Sequence, residues 1–371
     1  MRSAALLIGA FLVSTMVSAP AEAYRYRTCN GIPLKLQSNN HTARGNDFSF
    51  PAAGGWWNGL QYSINQFNHV PSNFYYTLVH DTGGLGLGNG QSEVWGSTDA
   101  SVLQGAPAIA YSYWQCWWSP FTGTVAYMTE GDVIFDYANG AAAWTPGTSK
   151  STLIRYGGSK RSLPGTAAHE FGHATGLLHV NTIYNIMGAD FTHIHANGAT
   201  ANAYVGEDAG NGSVFLYGLW NAGPQDLAVQ HWKYLGASGE YSTHTRTQMF
   251  TSSGGGLSST TISEEPRYNV KRNQLVRVQF TFENNGRATS TGVVIRFYTS
   301  TNHLITSGDR LIGTVTGATL ARDVPSTWTY TVRIPNNLTL FGNYWLGAIV
   351  SGSGDARSYN NASYIRIRVV P

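Results

Sequence analysis

Charge is scarce in this chain. Asp, Glu, Lys and Arg make up 12% of its 371 residues, about half the usual share for a soluble globular domain. The net charge is only +3 and no basic cluster appears. That excludes nucleic acid as a primary partner, and an anionic membrane surface with it, because both are held by dense positive fields. Beyond residue 23 nothing stays apolar for the roughly 20 residues that a spanning helix needs, so no membrane anchor is expected. Cysteine is scarcer still, at two. Neither stands where an export signal would be cut, so lipoprotein anchoring is not expected.

The N-terminus does carry Arg2, an apolar stretch from Ala4 to Val17, and Ala21-Glu22-Ala23. These are the parts of a secretory signal peptide over 1–23, cleaved before Tyr24, and they predict a secreted, extracellular protein. Export gives meaning to Cys29 and Cys116, an even number in an oxidising compartment, and predicts one disulfide. In the chain-entropy model that link restricts the unfolded chain by about 3–5 kcal/mol.

The most informative stretch runs from His169 to His179 and spells H-E-x-x-H-x-x-G-x-x-H. On a helix, His169 and His173 are four residues apart and project from one face, where they can grip one metal ion. Glu170 then lies beside the metal's open position and outside the ligand set, in the place of a general base. Gly176 can take the left-handed conformation that ends a helix, which lets the chain turn and bring His179 back as third ligand. Three nitrogen ligands leave the fourth tetrahedral position of a zinc ion for water. Chance alone would yield this spacing on the order of once in ten thousand such chains or less.

The extended motif resembles the metzincin clan of zinc endopeptidases, and the resemblance implies a methionine turn beneath the metal. Asn185-Ile186-Met187-Gly188 stands where that turn belongs, with Met187 as a hydrophobic floor and not a ligand. Upstream, Trp57, Leu60, Ile64 and Phe67 predict a helix over 56–70 with one buried stripe. Phe74–His80, Ala108–Trp114 and Asp132–Tyr137 read as strands, with a Gly-rich loop over 83–90 before Glu93-Val94-Trp95. The segments Asn89–Val94 and Gly131–Phe135 look like the strands that precede the zinc helix in bacterial matrixin-like enzymes. Ser162 can cap that helix, and Pro164 suits its first turn. A later helix is expected over Pro224–Leu235. The implied fold for residues 24–250 is an α+β metzincin catalytic domain, a twisted mixed sheet plus a long zinc helix.

Some positions depart from the best-known subfamilies. Val180 follows the third ligand where several of them place a polar residue, and no tyrosine stands two residues after Met187. Cys29 has a second reading as an inhibitory zinc-binding thiolate, like the matrixin cysteine switch. His193 and His195 flank Ile194 at strand spacing and could make a second metal or substrate contact. Asp81, Asn89, Asp99 and Asp190 lie in loops that suit either calcium or turns, so calcium stays unassigned.

Residues 251–266 are rich in Ser, Thr and Gly and read as a flexible linker. After it, alternating strands over 275–282, 293–298, 327–333, 344–350 and 364–370 predict an all-β Ig-like sandwich over 267–371. Phe282-Glu283-Asn284-Asn285-Gly286 and Tyr359-Asn360-Asn361 resemble CARDB-like modules, which hang off secreted enzymes as spacers or stabilisers or make glycan or protein contacts.

Together these readings predict a secreted, monomeric zinc metalloendopeptidase that acts on protein or peptide substrates, with metal ligands His169, His173 and His179 and Glu170 as base. The rivals are a secreted adhesive protein with a degenerate metal domain, and a zinc hydrolase of non-peptide bonds. An intact Glu170 argues against the first.

Overall fold

In the computed structural model the described residues are 24–81, 83–137, 143–181, 185–188, 194–232, 246–322 and 324–371. The expected signal peptide, Asp190 and His193 lie outside them.

The first half is built on one mixed sheet. Its strands are β1 (Asn40–Asn46), β2 (Tyr75–Asp81), β3 (Ser92–Ser97), β4 (Ala108–Ser119) and β5 (Gly123–Asp136), in the order β2-β1-β3-β5-β4. The first three and β5 run parallel, whereas β4 is antiparallel to β5 and forms the edge. Val133, Ile134 and Phe135 on β5 are all fully buried, as expected for a strand covered on both faces. Helix α1 (Gly55–Asn68) buries Leu60, Ile64 and Phe67. Trp57, expected in the same stripe, is only half-buried and stacks on His80 with ring centroids 3.4 Å apart. Helix α2 (Leu163–Ala174) packs on α1 and over β4 and β5. A Cβ on Gly131 would come within 2.7 Å of the Ala174 Cβ, so β5 approaches the helix's last turn as closely as backbone allows. Helix α3 (Gly206–Tyr217) supports that turn through the Tyr217 hydroxyl, which donates to Thr175 O at 2.8 Å.

Ten strands follow: β6 (Leu227–Gln230), β7 (Met249–Thr251), β8 (Ser259–Ile262), β9 (Glu265–Lys271), β10 (Leu275–Asn284), β11 (Ser290–Ser300), β12 (Arg310–Leu320), β13 (Ser326–Arg333), β14 (Asn343–Ser351) and β15 (Ala362–Val370). In one sheet β6 and β7 pair with one side of β10 and β13 with the other; the second has the order β8-β9-β15-β14-β11-β12. Val278, Phe280, Phe282, Ile295, Phe297, Leu346 and Ile367 fill the space between the sheets. This is a β-sandwich.

Three sequence expectations fail here. The helix over Pro224–Leu235 is instead strand β6, and residues 233–235 lie outside the described ones. Leu227 and Val229 enter the sandwich core, while the Gln230 side chain turns the other way and bonds the Tyr204 hydroxyl at 2.5 Å. Pairing with β10 overrides the helical signals. Nor is 251–266 a flexible linker. Ser259–Ile262 folds back on Glu265–Tyr268 through Ser263 and Glu264, both at positive φ (50° and 63°), the backbone of a type I′ hairpin turn. The boundary drawn at 250 moves with it, because the sandwich already begins at β6.

The two halves share a polar, buried seam. Asn284 N donates to Glu207 Oε2 at 3.0 Å, and the Tyr204 hydroxyl donates to Glu283 at 3.1 Å. Arg357 reaches Gln66 on α1 at 3.0 Å and Asp226 at 3.2 Å. Several residues that suggested a CARDB-like module therefore hold the sandwich against the first half.

Candidate metal centre

Helix α2 starts where the Ser162 hydroxyl accepts from Gly165 N at 3.1 Å, with Pro164 in the first turn. It stops at Gly176, whose φ is +104° and whose absent Cβ would overlap Leu34 O. Only glycine satisfies both conditions. The chain then reverses, and His179 meets the two helical histidines. His169 Nε2 lies 3.1 Å from His179 Nε2 and 3.1 Å from His173 Nε2. His169 is buried, His173 half-buried and His179 exposed, so the cluster opens to solvent on the His179 side.

Their other ring nitrogens decide the chemistry. His169 Nδ1 donates to Ile186 O at 2.6 Å, and His173 Nδ1 donates to Leu177 O at 2.8 Å. A carbonyl only accepts, so both protons sit on Nδ1 and both Nε2 atoms present bare lone pairs to each other. Such a pair repels unless a cation lies between. Ligand bonds of 2.0–2.1 Å to a tetrahedral ion put neighbouring nitrogens about 3.3–3.4 Å apart, close to the spacing seen. The donor set fits a divalent ion held by nitrogen. Burial pushes the His169 imidazole far below its ordinary pKa, and the neighbouring His173 and His179 push it further. Burial takes His173 down to about 3 and also lowers His179. All three stay neutral and ready to coordinate.

Glu170 is buried, and burial lifts its carboxyl to about 8, opposed in part by the N–H of Ala110. Ala110 belongs to the edge strand β4, which runs beside the helix. One repeat further along, the Ser112 hydroxyl donates to His173 O at 3.3 Å. Met187 packs against the helix at Gly172, where an added Cβ would overlap its Sδ. Its turn is tied to the third-ligand arm by Val180 N→Met187 O at 3.0 Å and Asn185 Nδ2→Val180 O at 2.9 Å. The departure at Val180 is thus a buried residue whose backbone links arm and turn.

The N-terminal segment braces the same arm. Arg25 and Tyr26 pair with Leu178 and Leu177, and Arg27 N donates to Gly176 O at 3.0 Å. Cys29 is disulfide-bonded to Cys116 on β4, with Cα atoms 6.4 Å apart. The thiolate reading of Cys29 is therefore overturned: a sulfur in a disulfide is not a ligand.

Other expected site residues serve elsewhere. His195 is fully buried in a hairpin, and its Nε2 donates to Ala362 O of the sandwich at 2.7 Å. Asp81 accepts from Gly83 N at 2.6 Å, Asn89 from Gln91 N at 2.8 Å, and Asp99 caps a short helix through Ser101 N at 2.8 Å. These are turn and cap roles. The sequence reading missed Ala110, Ser112 and Arg27. Nothing in their local sequence marks them, since each reaches the site from a distant segment.

No protein-family model and no curated protein matches the chain. Among the solved structures similar to part of it are two of one domain. The NMR structure of a CARDB domain from Pyrococcus furiosus is 16% identical over 40% of this chain and 96% of its own, with a TM-score of 0.24. A crystal structure of that domain in complex with di-metal ions is 16% identical over 33% of this chain and 89% of its own, with a TM-score of 0.22. Likenesses this slight lend nothing to the functional argument.

Proposed function

We propose that the chain is a secreted, metzincin-type zinc endopeptidase. The observation that carries this reading is the convergence of His169, His173 and His179 on one point, with the first two tautomers fixed, beside a buried Glu170. Zinc bound there would polarise a peptide carbonyl and lower the pKa of a bound water to roughly 7.

Glu170 supplies the proton chemistry. Burial alone makes it a weak acid near 8; a divalent charge held by the three histidines would lower that value and leave a carboxylate able to take a proton from water and return it to the leaving amine. The Ala110 N–H orients that carboxylate. Ile186 O and Leu177 O hold the imidazoles in place, and the buried Met187 packs against the helix that carries two of them. Strand β4 has no strand on its outer side among the described residues. An extended peptide could add there and lie across the histidines.

The test is cleavage of casein or gelatin by zinc-loaded protein and its Glu170→Ala variant. Cleavage should fall by orders of magnitude in the variant while zinc content stays the same. Equal cleavage by both, or none by the parent with zinc bound, defeats the proposal.

A further inference from the structure

One charged side chain near the metal centre has no counter-charge among the described residues. Arg27 is partly buried, and its Nε is enclosed without a hydrogen-bond partner. Among the described residues its guanidinium makes no ion pair, and it rests over the Trp114 ring at 5.5 Å from the centroid. Burial disfavours the charge, as the lowered pKa of the group reflects. A desolvated, uncompensated guanidinium destabilises a fold unless something else uses it.

Its position suggests what does. Ala110, Ser112 and Trp114 stand two residues apart along β4: the backbone N–H of the first lowers the pKa of the Glu170 carboxyl, the hydroxyl of the second bonds the helix at His173, and the ring of the third carries Arg27. At 3.3–3.4 Å per residue, Trp114 lies about 13 Å along the strand from Ala110, or about four residues of an extended peptide. The positive charge is also felt at His173, whose protonation it opposes. From Ile109 to Thr129 the edge hairpin contains no charged residue of its own. The backbone of Arg27 is held by Gly176 O and by Leu34 N at 2.8 Å, and the disulfide two residues on fixes the segment to β4. The cation is delivered by a rigid mount.

We propose that Arg27 binds a carboxylate of the substrate beside Trp114 on strand β4, about four residues from the cleaved bond, and so selects peptides that carry one. A guanidinium fork matches a carboxylate in two parallel hydrogen bonds, and the Trp114 face beneath it orients the fork. The carboxylate is either an acidic side chain or a free C-terminus. This inference rests on the endopeptidase reading, which supplies the peptide ligand and the place of the cleaved bond.

The experiment measures binding, not turnover. Zinc-loaded Glu170→Ala protein is titrated, by tryptophan fluorescence, with hexapeptides carrying an internal Asp, a free C-terminus, or neither (Asn and a C-terminal amide). The same series is run with Arg27→Gln and Arg27→Lys added, after thermal melts show that both variants are folded. One carboxylate form should bind about ten- to a hundredfold tighter than the neutral peptide. Arg27→Gln should erase the difference and Arg27→Lys should keep part of it. Which peptide gains names the source of the carboxylate. Equal binding of all peptides, no binding of any, or a preference that survives Arg27→Gln overturns the proposal. A protein that binds the carboxylate peptides through Arg27 but cuts no protein with Glu170 intact would refute the protease reading alone.

Discussion

Gly172 and Met187 meet without room for one more carbon: a Cβ on the glycine would overlap the methionine Sδ and lie 3.1 Å from its Cε. Glycine inside a helix ordinarily costs about 1 kcal/mol relative to alanine. Here the sign reverses. Gly172→Ala should destabilise the fold by about 1–3 kcal/mol through overpacking and weaken metal binding by shifting the helix that carries His169 and His173 against Met187. Thermal unfolding and a chelator-competition titration check both parts. A variant as stable as its parent would show that Met187 yields easily.

The Cys29–Cys116 link closes 87 residues of chain, for which the chain-entropy model gives about 4–5 kcal/mol. Because the segment beside it pairs with Leu177 and Leu178, a Cys29→Ser, Cys116→Ser double variant should lose more than stability. Zinc release to a colorimetric chelator should quicken, since the arm carrying His179 loses its brace. Unchanged release from a folded variant would separate the strap from the metal site.

Asp132 is fully buried, and burial first, then its hydrogen bond with Glu130, lifts its carboxyl from 3.8 to about 9. A raised folded value means that the unfolded chain releases this proton first. The contribution is present below about pH 4 and is lost as pH climbs towards 9. Asp132→Asn should therefore gain on the parent in denaturant midpoint between pH 5 and pH 9. A constant gap across that range would show that Asp132 does not titrate in the fold.

Arg357 joins the halves, with Gln66 on one side and the fully buried Asp226 on the other. Arg357→Ala leaves that carboxylate enclosed and unpaired, a loss of about 3–5 kcal/mol. Calorimetry of the full chain should show one lowered transition for both halves. A lowered sandwich transition, with the metal-binding half unmoved, would show the seam to be energetically idle.

Much was legible where one short segment decides its own structure. Helical spacing gave α2 its two histidines, its Ser162 cap and its Gly176 stop, and alternation marked most of the sandwich strands. Legibility failed where pairing outvoted local preference. β6 has a helical start signal and a strand's partner, and the Ser/Thr/Gly-rich stretch after Thr251 becomes a hairpin because its two-residue turn tolerates positive φ. His195, read as a spare ligand, is consumed by the sandwich backbone.

By itself, then, the sequence determined the donor types and their spacing, because both are properties of eleven consecutive residues on one helix and one turn. Only the tertiary structure decided which carbonyls pin the imidazole protons, which strand N–H meets Glu170, that Cys29 is spent on Cys116, and that Arg27 arrives beside Trp114 with no counter-charge among the described residues. Each of those depends on segments tens of residues apart meeting in space, and no local periodicity encodes such a meeting.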